Sequence, residues 1–454
     1  MSKIKIKTYI SIIISKLVIK ISKVLFKGGS NFPGRVALKI DDSILKTVAK
    51  DYKIVVITGT NGKTTTASMV YNMFHDSHLN VITNNTGANM LPGIVSCFVG
   101  HYNFKESTEI KYAIMEVDEA NVKLVTKYVT PYIINITNLF RDQMDRYGEV
   151  YTTLKKILEG VKIAEGSILV LNGDESLLGD LKLGLPNKTF YYGFKCGVGE
   201  NNVIDINADA KFCKRCKSPY QYNYISYNHL GDYYCDKCGY KRPELDFTMD
   251  KIEKLTPDGS LVIIDGNEYY INQPGTYNIY NALNAYSIAK TVGIDNKVIF
   301  NSLKSQQSSF GRQEHIDIDG IEVKIILVKN PAGYDQAINT LSLDKREINL
   351  ALLLNDNYAD GRDVSWIWDV KFESLLALNI KKILVSGIRI YDMSVRLKIA
   401  GLSYDSFALC ETYDKLLEEI KSCSSKTVYI LATYTAMINF RKFLNTKGYI
   451  KKLW

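Results

Sequence analysis

Short apolar runs recur along most of this chain. Each is followed by a break rich in glycine or asparagine, and then by a stretch with helical spacing. From Lys53 the order is "KIVVITGTNGKTTTASMVYNMF", "YAIMEVDEANVKLVTKYV", "PYIINITNLF" and "SILVLNGDE". β-Branched runs alternating with helices predict parallel βαβ units, and so an α/β sheet domain. After "FGRQE" a second α/β series follows, "VKIILVKNPAG", "INLALLLNDN", "IKKILVSGIR" and "KTVYILATYTAM", which predicts a Rossmann-like domain. Between the two series, "LDFTMDKIEKLTPDGSLVIIDGNEYYINQPG" carries Asp-Gly and Gly-Asn hairpin signals. It is expected to return to the first sheet as antiparallel strands. "NIYNALNAYSIAKTVG" reads as a helix with small apolar residues on one face. The boundaries implied are an N-terminal helical segment at 1–50, a central domain at 51–310 and a C-terminal α/β domain at 311–454.

The first segment has its own pattern. "YISIIISKLVIKISKVLF" is apolar, yet Lys16, Lys20 and Lys23 interrupt it. No unbroken span approaches the ~20 residues needed to cross a bilayer. An amphipathic helix is expected, either packed on its own domain or lying on a membrane surface. Charge adds to this picture: the net +9 is concentrated here, with seven lysines and no acid in the first 27 residues. That concentration argues against nucleic-acid binding by the whole protein. Hydrophobic residues make up 46%, enough to exclude a disordered chain, and 454 residues suit two or three domains. Eight cysteines without a secretory signal imply a reducing, cytoplasmic setting.

"VVITGTNGKTTT" carries the strongest chemical signal. A buried strand runs into Gly59, Thr60, Asn61, Gly62, Lys63, Thr64 and Thr65 and then a helix. The glycines let backbone N–H groups close around phosphate oxygens, and Lys63 reaches the terminal phosphates of ATP. The Thr64 hydroxyl suits Mg²⁺. The spacing is not the Walker form, whose first glycine would fall on Ile57. Glu116, ending the strand of "AIMEVDE", is placed to hold Mg²⁺ opposite this loop. "NITNLFRDQMDRYGE" ends another strand with Thr137 and Asn138, followed by Arg141, Asp142 and Asp145. Asn278 and Asn281 lie at a helix start, where an amide can read adenine or simply cap.

"CKRC" at 213–216 and "CDKCG" at 235–239 form a zinc-ribbon pattern inserted at about 205–245. Cys213, Cys216, Cys235 and Cys238 close a tetrahedral shell with no open position, so Zn²⁺ there is structural. Tyr220, Tyr222, Tyr224, Tyr227, Tyr233 and Tyr234 either stack bases or cover a ribbon too small for a core, and covering is the preferred reading. "LNDNYADGRDVSWIWD" closes the buried run Ile348–Leu354 with Asp356, Asp360, Asp363 and Asp369. Asp363 is expected to cap a helix opening at "VSWIWDVKFE". Trp366 and Trp368 are expected to serve as core or interface anchors.

Together "GTNGKTTT", Glu116, "TNLFRDQMDRYG", "GTYNIYNALNA" and "GRQE" resemble the ordered motifs of the Mur ligases. The four-cysteine ribbon, "NNTGANMLPGI", "KNPAG", "LNDNYADGRDVSWIWD" and "LATYTAM" narrow the resemblance to the MurT family, the ATP-binding subunits of lipid II isoglutaminyl synthases. The resemblance implies a Mur-ligase central domain, with Asn278 and Arg312 also at the nucleotide site. Its implied reaction is ATP-dependent amidation of the D-glutamate α-carboxyl of the lipid II stem peptide, through an acyl phosphate, in peptidoglycan synthesis. An ordinary Mur ligase has Asp-His where this chain has Asp142-Gln143, and His-Asn-Pro where it has Lys329-Asn330-Pro331. Neither Lys155 nor Lys156 aligns well enough to be assigned as the carbamylated lysine of those enzymes.

Ammonia for amidation comes from glutamine, by a Cys-His site that this sequence does not display. Cys97, Cys196, Cys410 and Cys423 sit in no G-x-C-x-G elbow. His75, His78, His101, His229 and His315 show no pairing with them. The resemblance therefore implies a heterodimer with a GatD-type class I glutamine amidotransferase, at the cytoplasmic membrane face where lipid II resides. Asp363, with Asp360 and Asp356 as runners-up, would complete the partner's triad. The alternative is a stand-alone amino-acid ligase of the Mur or folylpolyglutamate type. A nucleic-acid-binding module and a subunit with a vestigial ATP site are further alternatives.

Overall fold

The structure is a computed structural model that describes residues 5–26, 31–84, 88–104, 109–141, 150–198, 210–307 and 312–450. Its strands are β1 Tyr52–Thr58, β2 Asn80–Thr83, β3 Lys111–Glu116, β4 Ile133–Ile136, β5 Ile168–Asn172 and β6 Thr189–Phe194. They continue with β7 Gln221–Tyr227, β8 Leu230–Tyr234, β9 Phe247–Leu255, β10 Ser260–Ile264 and β11 Asn267–Ile271. The C-terminal part has β12 Arg312–Ile318, β13 Ile321–Leu327, β14 Ile348–Leu353, β15 Ile380–Ser386, β16 Phe407–Cys410 and β17 Thr427–Ala432.

The central sheet has the order β11-β10-β9-β6-β5-β4-β1-β3-β2. Its β-branched runs are buried on both faces, as helix-covered parallel strands require. Along β1 the side chains alternate: Ile54 and Val56 enter one core, and Val55 and Ile57 the other. The hairpin signals are realised in β10 and β11, which are antiparallel. β9 departs from the sequence expectation because it pairs parallel to β6. A parallel neighbour needs a long crossover, and the inserted ribbon supplies it.

The second sheet has the order β12-β13-β17-β14-β15-β16, parallel except at the β12–β13 hairpin. β14 is buried along its whole length. Leu350 and Leu352 face one core, Ala351 and Leu353 the other. The helix expected at "VSWIWDVKFE" is instead two 3₁₀ segments, Ser365–Asp369 and Phe372–Ala377. The Arg396 guanidinium explains the break: it donates to the Ile367 and Val370 carbonyls, at 3.2 and 2.7 Å, which a continuing helix would need.

The ribbon is a two-stranded sheet, β7–β8. Tyr220, Tyr222, Tyr233 and Tyr240 pack with Cys213 and Cys235 as its small core. Tyr224 donates its hydroxyl to the Phe194 carbonyl at 2.7 Å, anchoring the module to the central sheet. The N-terminal helix, Ile6–Phe26, packs on its own domain, with Ser11, Ile12 and Ser15 buried and the Ser11 hydroxyl donating to the Ala37 carbonyl. No described helix is long and apolar enough to cross a membrane.

Candidate active site

The loop after β1 turns into the helix Lys63–Asp76 through two residues with positive φ, Gly59 at 115° and Gly62 at 84°. A Cβ on Gly59 would lie 2.5 Å from Thr137 Oγ1, and one on Gly62 2.1 Å from Asn281 Oδ1. Conformation and close approach therefore both require glycine here. Thr137 and Asn138 hold the loop from β4. Asn138 Oδ1 accepts from Asn61 N at 2.9 Å, and Thr137 Oγ1 donates to the Asn61 carbonyl at 2.8 Å.

The Lys63 ammonium crosses the loop mouth, donating to the Gly59 and Thr60 carbonyls and to Glu119 Oε1 at 2.7 Å. Both side chains of that ion pair are largely buried, 11% and 8% exposed. Glu119 was not anticipated from the sequence; its signal was the third acid of "EVDE", which a 3₁₀ turn at Glu119–Asn121 swings back to the lysine. Glu116 lies level with Ile57 across the β1–β3 pairing, and its Oε1 accepts from Asn89 Nδ2 at 3.0 Å. Thr64 sits half-buried in the helix's first turn, while Thr65 is buried. Asp142, Gln143 and Asp145 lie outside the described residues, as does the side chain of Arg312, which opens β12.

The C-terminal domain reaches the same loop. Lys329 Nζ donates to the Thr60 carbonyl at 3.3 Å, and Asn330 Nδ2 to Asn61 Oδ1 at 3.1 Å. Asn330 Oδ1 also accepts from Gly333 N at 2.8 Å, capping the helix Pro331–Leu341. Between the domains, Asn61, Gly62, Asn281, Tyr227 and Gln336 line a narrow cleft. Tyr227 and Gln336 also line a neighbouring cleft of about 450 Å³, walled by Thr276, Asp335 and Lys371. Asn278 lines neither cleft; it is buried, donates to the Pro274 carbonyl and accepts from Asn281. Asn281, one turn on, is the amide that faces the loop.

The ribbon is wired to this site through its hairpin tip, 226–229. Beside Tyr227, buried His229 sets Nε2 2.9 Å from Glu175 Oε2, with both side chains fully buried. That same oxygen accepts from Leu139 N at 3.1 Å, one residue past Asn138. The four cysteines of the ribbon bring their Sγ atoms within 4.8 Å of one another. Lys217 and Gly239, each just past a second cysteine, take positive φ and donate N–H back to the Cys213 and Cys235 carbonyls. Hydrogen bonds from the Ser218 N–H and hydroxyl draw the Cys216 thiol down to about 6. This group of sulfurs fits a metal ion, with Zn–S bonds near 2.3 Å.

The remaining thiols differ. Burial pushes Cys97 up to about 12 and Cys410 to about 11, and it also raises Cys196 and Cys423. One Cys–His approach was not anticipated from the sequence: Cys97 Sγ lies 4.0 Å from His101 Nδ1 on the same helix. It is no activated pair, since that nitrogen is engaged with the Cys97 carbonyl at 2.9 Å and the thiol with the Thr83 carbonyl.

The aspartates of "LNDNYADGRDVSWIWD" separate by environment. Asp360 is buried, and its oxygens accept from Thr435 N, Thr435 Oγ1 and Asn357 N. Asp356 pairs with Arg389 at 2.8 Å, and Asp369 with Arg141 at 3.7 Å across the domain junction. Asp363 is exposed, and its Oδ1 accepts from Ser365 N at 2.8 Å in a tight turn. Hydrogen bonds from the Ser365 hydroxyl and N–H hold its carboxyl below the usual value. Val364, not Asp363, takes the cap position of the 3₁₀ segment. Trp366 packs on the domain core, whereas Trp368 is half exposed beneath the Arg396 guanidinium, 5.6 Å from the ring centre.

Two family models match the chain: the Mur ligase middle domain over residues 57–289 and the MurT ligase C-terminal domain over 327–437. The chain is 40% identical to the lipid II isoglutaminyl synthase (glutamine-hydrolyzing) subunit MurT of Streptococcus pneumoniae, covering 93% of this chain and 94% of that one. Among solved structures, it matches a pseudomurein peptide ligase type C from Methanothermus fervidus with a TM-score of 0.68 and 19% identity, over 90% and 81% of the two chains. It also matches the MurF ligase from Thermotoga maritima in complex with ADP, with a TM-score of 0.61 and 12% identity, over 90% and 85%.

Proposed function

This chain belongs to the MurT family, and from that premise we propose that it is the synthetase subunit of a glutamine-hydrolysing lipid II isoglutaminyl synthase. It amidates the D-glutamate α-carboxyl of the lipid II stem peptide to D-isoglutamine. The observation that carries the reading is a complete phosphate loop at the domain junction, in a chain whose non-cluster thiols are all held up by burial.

The loop 59–65 would hold the phosphates of ATP, and Asn281 and Tyr227, which line the adjoining cleft, would contact the rest of the nucleotide. A carboxylate is a poor electrophile, so one of its oxygens attacks the γ-phosphorus and ADP leaves, giving an acyl phosphate. Lys63, held across the loop by Glu119, and the loop N–H groups stabilise the transferring charge. Mg²⁺, when bound by Thr64 and Glu116, neutralises phosphate charge and fixes its geometry. Ammonia then attacks the acyl carbon, inorganic phosphate leaves, and the new amide loses a proton. Cys213, Cys216, Cys235 and Cys238 would hold Zn²⁺ as a structural ion, bracing the hairpin that carries Tyr227.

A GatD-type class I glutamine amidotransferase supplies the ammonia. Asp363 is ionised, outward-facing and fixed by Ser365, which suits it to orient the partner's catalytic histidine. Ile388, Tyr391, Val395 and Ile399 form an exposed apolar stripe on and just before the helix Ile390–Ile399, and this is the docking face. Arg389, next to Ile388 at the start of that stripe, is the partner of Asp356. The complex works at the cytoplasmic face of the membrane, where a lipid-linked substrate is available.

The test is ADP release by the complex given lipid II, ATP and an ammonium salt. Ammonium-dependent release supports the reading. Release that needs an added amino acid and ignores ammonium would instead assign an amino-acid ligase.

A further inference from the structure

The N-terminal helix Ile6–Phe26 is built inside out. Its buried side carries small polar residues, Thr8, Ser11 and Ser15, around Ile12. The Thr8 hydroxyl donates to Asp41, and the Lys16 ammonium to the Tyr102 carbonyl. Its outer side carries Ile6, Ile10, Ile13, Leu17 and Ile21, each 44% exposed or more, with Tyr9 at its edge packed on the Phe104 ring at 5.1 Å. The spacing of these positions forms one continuous helical stripe. Burying such residues is the usual reason a helix packs at all, so the face turned away from the protein is the one with the larger apolar area.

Charge says what covers it. Lys5, Lys7 and Lys20 are exposed around the stripe. The first 40 residues hold nine lysines and arginines and no Asp or Glu. Asp41, the carboxylate that Thr8 touches, is buried on the inner side, and an apolar stripe flanked by exposed lysines matches a bilayer surface bearing anionic headgroups. A second copy of the helix would bring like charges together.

We propose that this outer face lies in the headgroup region of an anionic membrane, with the isoleucines in the acyl boundary and the lysines on the phosphates. It would hold the ligase beside a substrate confined to the same surface. This deepens the proposed function and rests on its lipid-linked substrate.

The test uses the full chain with its glutaminase, sedimented with vesicles of either pure phosphatidylcholine or a phosphatidylcholine–phosphatidylglycerol mixture. Binding is expected to favour the anionic vesicles and to weaken in high salt. The surface variant Ile10→Asp/Ile13→Asp/Leu17→Asp should partition at least about 100-fold less, with an unchanged circular-dichroism melt. Amidation of lipid II dispersed in detergent should persist in that variant, so failure of membrane docking and failure of the amidation reading are distinguishable. Absence of binding to either vesicle would overturn the proposal, as would binding that the variant leaves intact. A wild-type complex that self-associates through this helix, and loses that association in the variant without ever binding vesicles, would assign the stripe to a second copy and overturn it equally.

Discussion

Replacing His229 with Ala removes the buried link between the ribbon and the nucleotide loop. The imidazole lies 2.9 Å from Glu175 and 4.8 Å, ring to ring, from Phe140, with no exposure to solvent. Losing a hydrogen bond to a buried carboxylate costs about 1.5–3 kcal/mol. The cavity left against Phe140 adds about 1–2 kcal/mol, so the sum is about 3–5 kcal/mol. For a domain of this size that lowers Tm by roughly 6–20 °C. Glu175 also receives the Leu139 N–H, and Leu139 follows the two residues that clamp Asn61. The KM for ATP should therefore rise several-fold in the variant while its metal content stays equal to that of wild type. His229→Gln, which keeps a donor, should recover most of both losses. The assays are a thermal melt, metal analysis and ATP titration of ADP release. A melt shifted by less than about 2 °C with an unchanged KM would refute the coupling.

Stripping metal with a chelator, or Cys213→Ser, should lower the melt and raise the KM for ATP through Tyr227, read by the same assays with metal analysis as control. Lys63→Ala should abolish ADP release, by about 10³-fold or more, while size-exclusion chromatography still shows the complex; ADP release near wild type would rule out the phosphate role. Asp363→Asn should cut glutamine-driven amidation about 100-fold or more and spare amidation driven by ammonium salt; equal losses would make Asp363 merely structural. For Asp344, burial opposes ionisation, but hydrogen bonds from Arg346 and Tyr429 outweigh it and hold the carboxyl below 3.8. A depressed value gives stability that is full above 3.8 and lost as pH falls through the folded value. The Tm gap between wild type and Asp344→Asn should thus be complete at pH 7 and narrow as pH falls below 3.8.

What could be read in advance follows from how local each signal is. The phosphate loop was legible because strand, glycines, Lys63 and helix are consecutive, and the ribbon because two C-x2-C knuckles announce themselves. Glu119 was missed because its meeting with Lys63 depends on a turn that no periodicity marks. Asn278 and Asn281 were equal as sequence, and only the path of the helix decides which faces Gly62. The orientation of β9 escaped because hairpin signals fix β10 and β11 but not the partner across the insertion. The 3₁₀ character of "SWIWD" depends on Arg396, distant in sequence. His229 gave no signal at all, since its partner Glu175 is also distant in the chain.

The amidation reading meets its most direct test in mass spectrometry of lipid II incubated with ATP, ¹⁵N-amide glutamine and the complex of this chain with its glutaminase. The expected product carries one ¹⁵N amide on the D-glutamate α-carboxyl, formed only when both subunits and ATP are present. A labelled amide made by this chain without a glutaminase would contradict the two-subunit division of labour, and unchanged lipid II in the presence of both would contradict the reaction itself.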